Sequence, residues 1–455
     1  MIKSKIYYLF PLPFIYNFFN NFFNNNFKFD HIDTFSIILS FAYFTFLLTI
    51  GHIISDSLEI NNLSLSIGLF LMSFFVVNFL TLYFDKFLLS FHNYFYMTVV
   101  LWIFVFLINY KKIKINKLFT LLITFFITKL LSNNYSTMSL RHKELSTDTT
   151  FFWTPMSKMI YENSLFYSLE NNIISGYGLL INYIHAVNFK LIFDLEIFSY
   201  SPATTNVFLF LGLLFIYELR VKKPIKLSAS LIYVSILVNS DWLSFLFFNS
   251  TMGEVITNYL FTIFFLFIFG SKTMFKDNIQ IRNRYLVLTF SGFLYFSKPF
   301  VSYLILIAIF ILFIIEKDMR ILFSGFFGLL INFLNYRFVI SGNIQDGYLN
   351  SSEISNINSL TNLNFDNIFT IFKNFYLLDK VTSLFIFFLL VILIFNFLKF
   401  RSLSKSTIFI FLNLALVFYL YSSIWESKEL ESAYRYILTF INLYFFVYVD
   451  EIKKL

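Results

Sequence analysis

Residues 381–398 read VTSLFIFFLLVILIFNFL and contain no charged side chain. A membrane-spanning helix needs about 20 predominantly apolar residues, and runs of about 17 to 25 are long enough. This run is apolar at consecutive positions, whereas the strands of a membrane barrel alternate between apolar and polar residues. The stretch therefore predicts a helix that crosses a bilayer.

Apolar runs of similar character recur along the whole chain. Besides 381–398, they cover residues 5–23, 34–55, 63–83, 94–109, 117–132, 205–218, 227–240, 253–270, 284–297, 300–316, 320–335, 406–422 and 434–449. Only 13% of the residues are charged, about half the share of a soluble domain, so the chain cannot cover a globular surface with polar groups. We expect an all-α fold, a polytopic transmembrane helix bundle of about 13–14 spans surrounded by membrane lipids. Whether the Asn-interrupted run 5–23 spans is left open.

The basic residues indicate the orientation of this bundle, because Lys and Arg concentrate in the cytoplasmic loops of membrane proteins. Here they cluster at both termini and in short loops at 111–117, 220–226, 272–284, 317–320 and 399–405. We therefore expect a multi-pass protein of the cell (cytoplasmic) membrane with both termini inside. The external loops would then be 133–204, 240–252, 336–380 and 423–433. The net charge of +8 lies in these clusters between apolar runs, so it does not indicate a nucleic-acid partner.

This orientation divides the chain into three regions. They are N-terminal transmembrane helices at 1–132, an external loop at 133–204, and a transmembrane bundle at 205–455 that carries the external loop 336–380. The first external loop contains an apolar segment at 176–193. If that segment crossed the membrane, the basic cluster that follows would lie outside. The charge rule therefore favours an interfacial or re-entrant helix there.

An amphipathic juxtamembrane helix is also predicted at residues 152–160 of the same external loop. Its apolar face would carry Phe152, Met156, Met159 and Ile160. Ser157 and Lys158 would point away from that face. Together the two segments predict helices that lie along the membrane on its outer side.

Ionisable side chains are concentrated in residues 141–166, RHKELSTDTTFFWTPMSKMIYENSLF. Asp148 precedes two threonines and three aromatic residues, and a carboxylate beside aromatic surface can have a raised pKa and act as a base. The alternative is a solvated loop whose aromatic residues anchor it at the headgroups. The chain has no cysteine, which excludes a cysteine nucleophile or a thiolate metal site. HExxH, P-loop and GxGxxG motifs are missing too.

Four short features follow one another along the chain. They are Asp148, the aromatic stretch 151–161 with Lys158, the segment Gly176–Tyr177–Gly178–Leu179–Leu180, and the sequence Ser432–Ala433–Tyr434–Arg435–Tyr436. In this order of parts the chain resembles the C-type glycosyltransferase superfamily of polytopic membrane enzymes. The resemblance implies transfer of a sugar from a polyprenyl-phosphate donor to a lipid-linked or surface glycan acceptor on the external face. Asp148 would be the general base, and the need for a divalent metal is left open.

The resemblance also implies a substrate-binding set. We assign to it Arg141, Trp153, Lys158, Tyr177, His185, Glu254, Lys298 and Arg435. Three of these, Arg141, Lys298 and Arg435, would hold the donor phosphate, because negative charge develops on the leaving group. Structural alternatives stay open for several members. Glu254 and Lys298 suit helix ends, Arg435 suits the membrane interface, and His185 could face either substrate or headgroups.

Two other classes of protein fit the same composition. A surface polysaccharide polymerase or ligase also has about a dozen spans and large external loops, but it relies on external arginines rather than an early acidic residue. A transporter or flippase of lipid-linked glycans would carry out no chemistry. Transporters usually show a two-fold repeat and helices broken by Gly or Pro near the membrane midplane, and neither feature is visible in the sequence.

Overall fold

The computed structural model describes part of the chain. The described residues are 44, 46–55, 58, 62–81, 154–162, 179–191, 207–208, 211–219, 221–239, 253–269, 281–297, 299–335, 365–378, 380–400, 407, 411, 414–415 and 441–454. Within these residues the regular structure is helical and includes no strand. The predicted all-α class is therefore confirmed for that part of the chain.

In chain order the described helices are α1 (Phe46–Ser55), α2 (Leu63–Thr81), α3 (Thr154–Glu162), α4 (Leu179–Leu191), α5 (211–218), α6 (Lys223–Asn239), α7 (Gly253–Phe269), α8 (Ile281–Gly292), α9 (Pro299–Glu316), α10 (Met319–Asn335), α11 (Phe365–Leu378), α12 (Lys380–Phe400) and α13 (Ile441–Lys454). A 3₁₀ turn, η1 (Phe293–Phe296), continues α8. The chain forms two compact units. Helices α6 and α11 to α13 belong to unit 1 (residues 1–27, 221–245 and 345–455), and the others belong to unit 2 (residues 28–220 and 246–344).

Helices occupy the described parts of the predicted apolar runs. Runs 63–83, 253–270 and 381–398, for example, correspond to α2, α7 and α12. Helices also occur in the predicted external loop 133–204, where α3 overlaps 152–160 and α4 lies within 176–193. Runs 5–23, 94–109 and 117–132 lie outside the described residues.

The first turn of α2 is capped by two side chains. The Asn62 Oδ1 atom accepts a hydrogen bond from the Leu65 backbone N–H at 2.8 Å. The Glu218 carboxylate, at the end of α5, accepts hydrogen bonds from the backbone N–H groups of Leu63 and Ser64, the latter at 3.0 Å. A helix N-terminus leaves about four N–H groups without intrahelical partners and carries partial positive charge. The half-buried Glu218 thus joins α5 to α2 through a favourable charge interaction.

Helix α7 packs along α2 in the same chain direction. The Tyr259 hydroxyl donates to the Ser64 carbonyl at 2.9 Å, and Gly68, one turn later in α2, lies against Ile263, one turn later in α7. A Cβ atom on Gly68 would be only 2.3 Å from Ile263 Cδ1, so the two helices approach closely at this glycine. The charge pattern predicts that runs 63–83 and 253–270 cross in opposite directions. This pair of helices therefore disagrees with the predicted topology.

Helices α8, α9 and α10 alternate in direction, as consecutive spans would. The Tyr285 hydroxyl in α8 donates to Asp318 Oδ2 at 2.6 Å, and Asp318 Oδ1 caps α10 by accepting from the Arg320 backbone N–H at 3.0 Å. Hydrogen bonds from the Arg320 guanidinium and from Tyr285 hold the pKa of Asp318 at about 2. The starts of α8 and α10 thus meet the end of α9, at the two-residue connection Lys317–Asp318. The turn from η1 to α9 lies at the opposite end of these helices.

The close packing of α10 against α9 yields a prediction for Gly325. A Cβ atom on Gly325 would lie 2.4 Å from Cδ1 and 2.7 Å from Cγ1 of Ile309, below ordinary contact distance. We expect Gly325→Val to lower the free energy of unfolding by about 1–3 kcal/mol, the usual cost of overpacking. Denaturant unfolding of the purified protein in detergent measures this loss.

A control variant and a double mutant sharpen the Gly325 test. Ser324→Val, at the adjacent half-buried position, places the same β-branched residue in α10 without facing Ile309 as closely. Gly325→Val should lower stability less in an Ile309→Ala protein than in the wild type, because the two side chains compete for the same space. Strictly additive losses would contradict the close contact between these two residues.

Helix α12 of unit 1 has an apolar surface on its exposed side. Its exposed side chains include Leu384, Phe387, Val391, Ile394, Phe395 and Leu398, which follow one another at helical spacing. Only 28% of an 18-residue stretch within Thr382–Phe400 is buried, so α12 is not the enclosed core helix of a soluble protein. A surface helix of a soluble protein would expose polar residues there. Among the described residues this is the one helix long and apolar enough to cross a membrane.

The length of α12 and the residues at its two ends also suit a helix that crosses a membrane. Its 21 residues correspond to about 31 Å at the rise of an α-helix, close to the thickness of a bilayer's hydrocarbon core. Lys380 and Lys399 are exposed at its two ends, and basic side chains at the ends of membrane-spanning helices reach the polar interface.

Candidate functional site

Helix α3, which follows the predicted catalytic loop, is held against α4 by buried polar contacts. The Ser157 hydroxyl donates to Asn182 Oδ1 at 3.3 Å, and Asn182 Nδ2 lies 3.5 Å from Met156 Sδ. Ser157 and Asn182 are both fully buried. A side-chain pair of this kind satisfies polar groups that burial would otherwise destabilise. It fixes the face that α3 presents to α4.

The amphipathic assignment of α3 needs one correction. The sequence pattern predicts that Ser157 points away from the apolar face of the helix, but the structure buries Ser157 together with Ile160 and Tyr161. The reason is Asn182, 25 residues later, which supplies a partner for the hydroxyl. The prediction that Lys158 lies away from the buried face agrees with its half-exposed position.

Helix α4 is enclosed on all sides over its first half. Every side chain from Leu179 to Ala186 is buried, including the polar Asn182 and His185. A helix lying on a membrane surface leaves one face outside the protein. The burial therefore does not fit a helix that lies with one face on the membrane surface.

Helix α4 meets the turn that leads to Lys298. Phe75, near the end of α2, makes edge-to-face contacts with Tyr183 of α4 and Phe296 of η1, with ring centroids 5.6 Å and 5.4 Å apart. Phe296 lies two residues before Lys298 in sequence. The end of unit 2 that carries α4 is thus the end opposite the Lys317–Asp318 connection.

Of the assigned binding residues, Lys158 and His185 have described side chains, and they occupy different environments. Lys158 Nζ lies 3.4 Å from Glu162 Oε1 one turn later in α3, with both side chains substantially exposed. Such a surface pair contributes little to stability. His185 is 1% exposed, so its ring faces the protein interior rather than lipid headgroups. The structure does not bring these two side chains to a common surface.

Glu254 lies in the first turn of α7. Because α7 runs parallel to α2 and its Tyr259 contacts Ser64, this first turn lies at the end where α2 begins. Ser64 and Phe75 are 11 residues apart in α2, about 16 Å along the axis. The structure therefore does not bring the backbone of Glu254 to the turn before Lys298. Its position in a helical first turn suits the alternative role near a positive helix end.

Six assigned residues lie outside the described residues or at an undescribed position within a turn. They are Arg141, Asp148, Trp153, Tyr177, Lys298 and Arg435. Their roles remain predictions from the sequence. In the part of the chain that the structure describes, no group of three or more His, Cys, Asp or Glu side chains is arranged to hold a metal ion.

Unit 1 contains a buried polar cluster that sequence reasoning missed. Asn396 Nδ2 of α12 donates to Glu451 Oε2 at 2.8 Å and to the Glu451 backbone carbonyl at 3.0 Å. The Thr407 hydroxyl donates to Glu451 Oε1 at 3.1 Å. All three residues are at most 3% exposed. The signal was present in the sequence, since Asn396 interrupts the apolar stretch 384–398, and a polar residue within such a stretch is a candidate for a specific role.

No protein-family model, curated protein or solved structure matches this chain. The described residues form an all-α structure with one apolar helix of spanning length, and the function is argued from the chain's own residues.

Proposed function

We propose that the chain is a polytopic membrane protein. The observation that supports this is the exposed apolar side of α12, which would be in contact with water in a soluble protein. Helices α9 and α10 of unit 2 have the same property. Their exposed side chains include Phe310, Ile314, Phe323, Phe326, Phe327 and Leu330. Contact with lipid acyl chains in both units gives these surfaces a suitable solvent.

Within this class, we propose that the protein transfers a sugar from a polyprenyl-phosphate donor to a lipid-linked or surface glycan acceptor. The observation that favours it is the pairing of α3 with the enclosed helix α4 through Ser157 and Asn182. This pairing holds α3, which begins six residues after Asp148 in sequence, against α4, whose Tyr183 contacts Phe75 as Phe296 of η1 also does. Catalytic groups need such support, because small displacements of these groups lower the reaction rate.

The proposed step is an in-line displacement at the anomeric carbon. Asp148 accepts the proton of the acceptor hydroxyl as its oxygen attacks. The new carbon–oxygen bond forms while the bond to the donor phosphate breaks, and the electron pair leaves on polyprenyl phosphate. Arg141, Lys298 and Arg435 would stabilise that negative charge, with Trp153, Tyr177 and His185 as further substrate contacts.

A transfer assay tests the proposed activity. Membranes that contain the protein are incubated with radiolabelled polyprenyl-phosphate sugars, one sugar at a time, and label in lipid-linked or polymeric glycan is measured against membranes without it. Transfer of label from at least one donor supports the proposal. Binding of donor without transfer, or export of donor unchanged, would support a transporter instead.

Cysteine accessibility tests the proposed orientation separately. The chain has no native cysteine, so single variants give a clean signal. We expect Thr149→Cys, beside Asp148, to react with an impermeant thiol reagent added outside intact cells. Lys222→Cys, at an exposed position in a basic cluster, should react only after the cells are opened. The reverse pattern would invert the proposed topology.

A further inference from the structure

Helix α11 lies in the region assigned to an external polar loop and is amphipathic. It covers Phe365–Leu378, and one undescribed residue separates it from α12. Its Ile371 is 1% exposed, whereas Phe369 is 71% and Tyr376 is 55% exposed. One side of the helix therefore contacts the rest of unit 1, and large aromatic side chains are exposed elsewhere on its surface.

The order of side chains around α11 separates an aromatic edge from a polar face. Phe369 and Tyr376 are seven residues apart and lie on nearly the same side of the helix. The exposed charged residues Asp366 and Lys373 follow next around the circumference, and the half-exposed Thr370 and Asn374 continue the polar face. An interfacial helix has this division, with aromatic residues at the headgroup level and a charged face toward water.

We infer that α11 is an interfacial helix that inserts Phe369 and Tyr376 into the headgroup boundary of the bilayer beside α12. The lipid surface is the partner because α11 is continuous in sequence and contact with α12, whose exposed side is apolar over its length. A water-facing helix would gain nothing by exposing two aromatic rings at this point. This inference rests on the proposed membrane location, and it gives the predicted external loop 336–380 an anchor at membrane level.

The absence of native cysteine makes spin labelling the test. Phe369→Cys, Tyr376→Cys, Asp366→Cys and Lys373→Cys are labelled one at a time in the full-length protein in liposomes. Collision with oxygen, which partitions into lipid, is compared with collision with a water-soluble nickel chelate. We expect the oxygen-to-nickel ratio at 369 and 376 to exceed that at 366 and 373 by at least about threefold, as for an interfacial helix. Equal ratios at all four positions would overturn the inference.

Reference labels on α12 separate this inference from the proposal on which it rests. Phe387→Cys and Ile394→Cys, both on its exposed side, should show high oxygen and low nickel accessibility. Lipid exposure at these two sites with water exposure at 369 and 376 refutes the role of α11 alone. Water exposure at 387 and 394 refutes the membrane location. Low accessibility to both reagents at 369 and 376 would mean that protein covers α11, which also overturns the inference.

Discussion

Replacement of Asp148 by Asn is expected to abolish sugar transfer while the protein remains expressed and inserted in the membrane. Asparagine has almost the same shape as aspartate, but its amide cannot accept the acceptor hydroxyl's proton. Loss of a general base lowers rates by about 10²–10⁴-fold. The measurement is label transfer from the polyprenyl-phosphate sugar that the wild-type protein uses, normalised to the amount of protein in the membrane.

A matched control uses the same chemical change at another exposed carboxylate. Asp366→Asn, in the first turn of α11, removes one negative charge far in sequence from the proposed catalytic loop and should leave the rate within about twofold, as expected for a surface substitution. Full activity of the Asp148 variant would remove the assignment of this residue as base. Equal losses in both variants would mean that charge, rather than proton transfer, is responsible.

The helices were predictable because the apolar runs are long and continuous. A helix whose side chains are almost all apolar can be recognised from its own sequence, as α2, α7 and α12 show. Helix α11 was missed for a local reason as well. The polar sequence of loop 336–380 runs into the start of the helix, so its amphipathic pattern was read as the end of the loop.

Features that depend on distant partners were not predictable from local patterns. Ser157 has the hydroxyl expected of an outward-facing residue, and only its hydrogen bond to Asn182 accounts for its burial. The parallel packing of α2 and α7 was missed in the same way. The charge rule assigns each loop to one side of the membrane, but it does not say which helices are neighbours. The different environments of Lys158, which is half-exposed, and His185, which is buried, likewise depend on contacts that no short motif encodes.

A substitution that breaks the buried cluster around Glu451 should cause the largest loss of stability in unit 1. Asn396 donates to both the carboxylate and the backbone carbonyl of Glu451, and that carbonyl lies in the last turn of α13, where helix carbonyls lack intrahelical partners. Asn396→Leu keeps a side chain of similar size but removes both hydrogen bonds. We expect it to lower the free energy of unfolding by about 1–3 kcal/mol, the cost of leaving a buried acceptor without one of its hydrogen-bond donors. Denaturant unfolding in detergent is the measurement.

The cause of that loss can be separated from a simple packing effect by changing Glu451 as well. Glutamine at 451 retains the shape of the side chain without its charge, so a missing donor at 396 costs less beside it. Asn396→Leu should therefore lower stability by a smaller amount in a Glu451→Gln protein than in the wild type, with a coupling energy of about 1 kcal/mol or more. Asn374→Leu, at a half-exposed position of α11, should change stability by less than about 0.5 kcal/mol. If Asn396→Leu costs the same in both backgrounds, the asparagine acts through packing and not through the carboxylate. A coupling of the expected size would mean that unit 1 depends on the hydrogen bonds that Asn396 and Thr407 donate to Glu451, an arrangement that favours one register of α12 against α13.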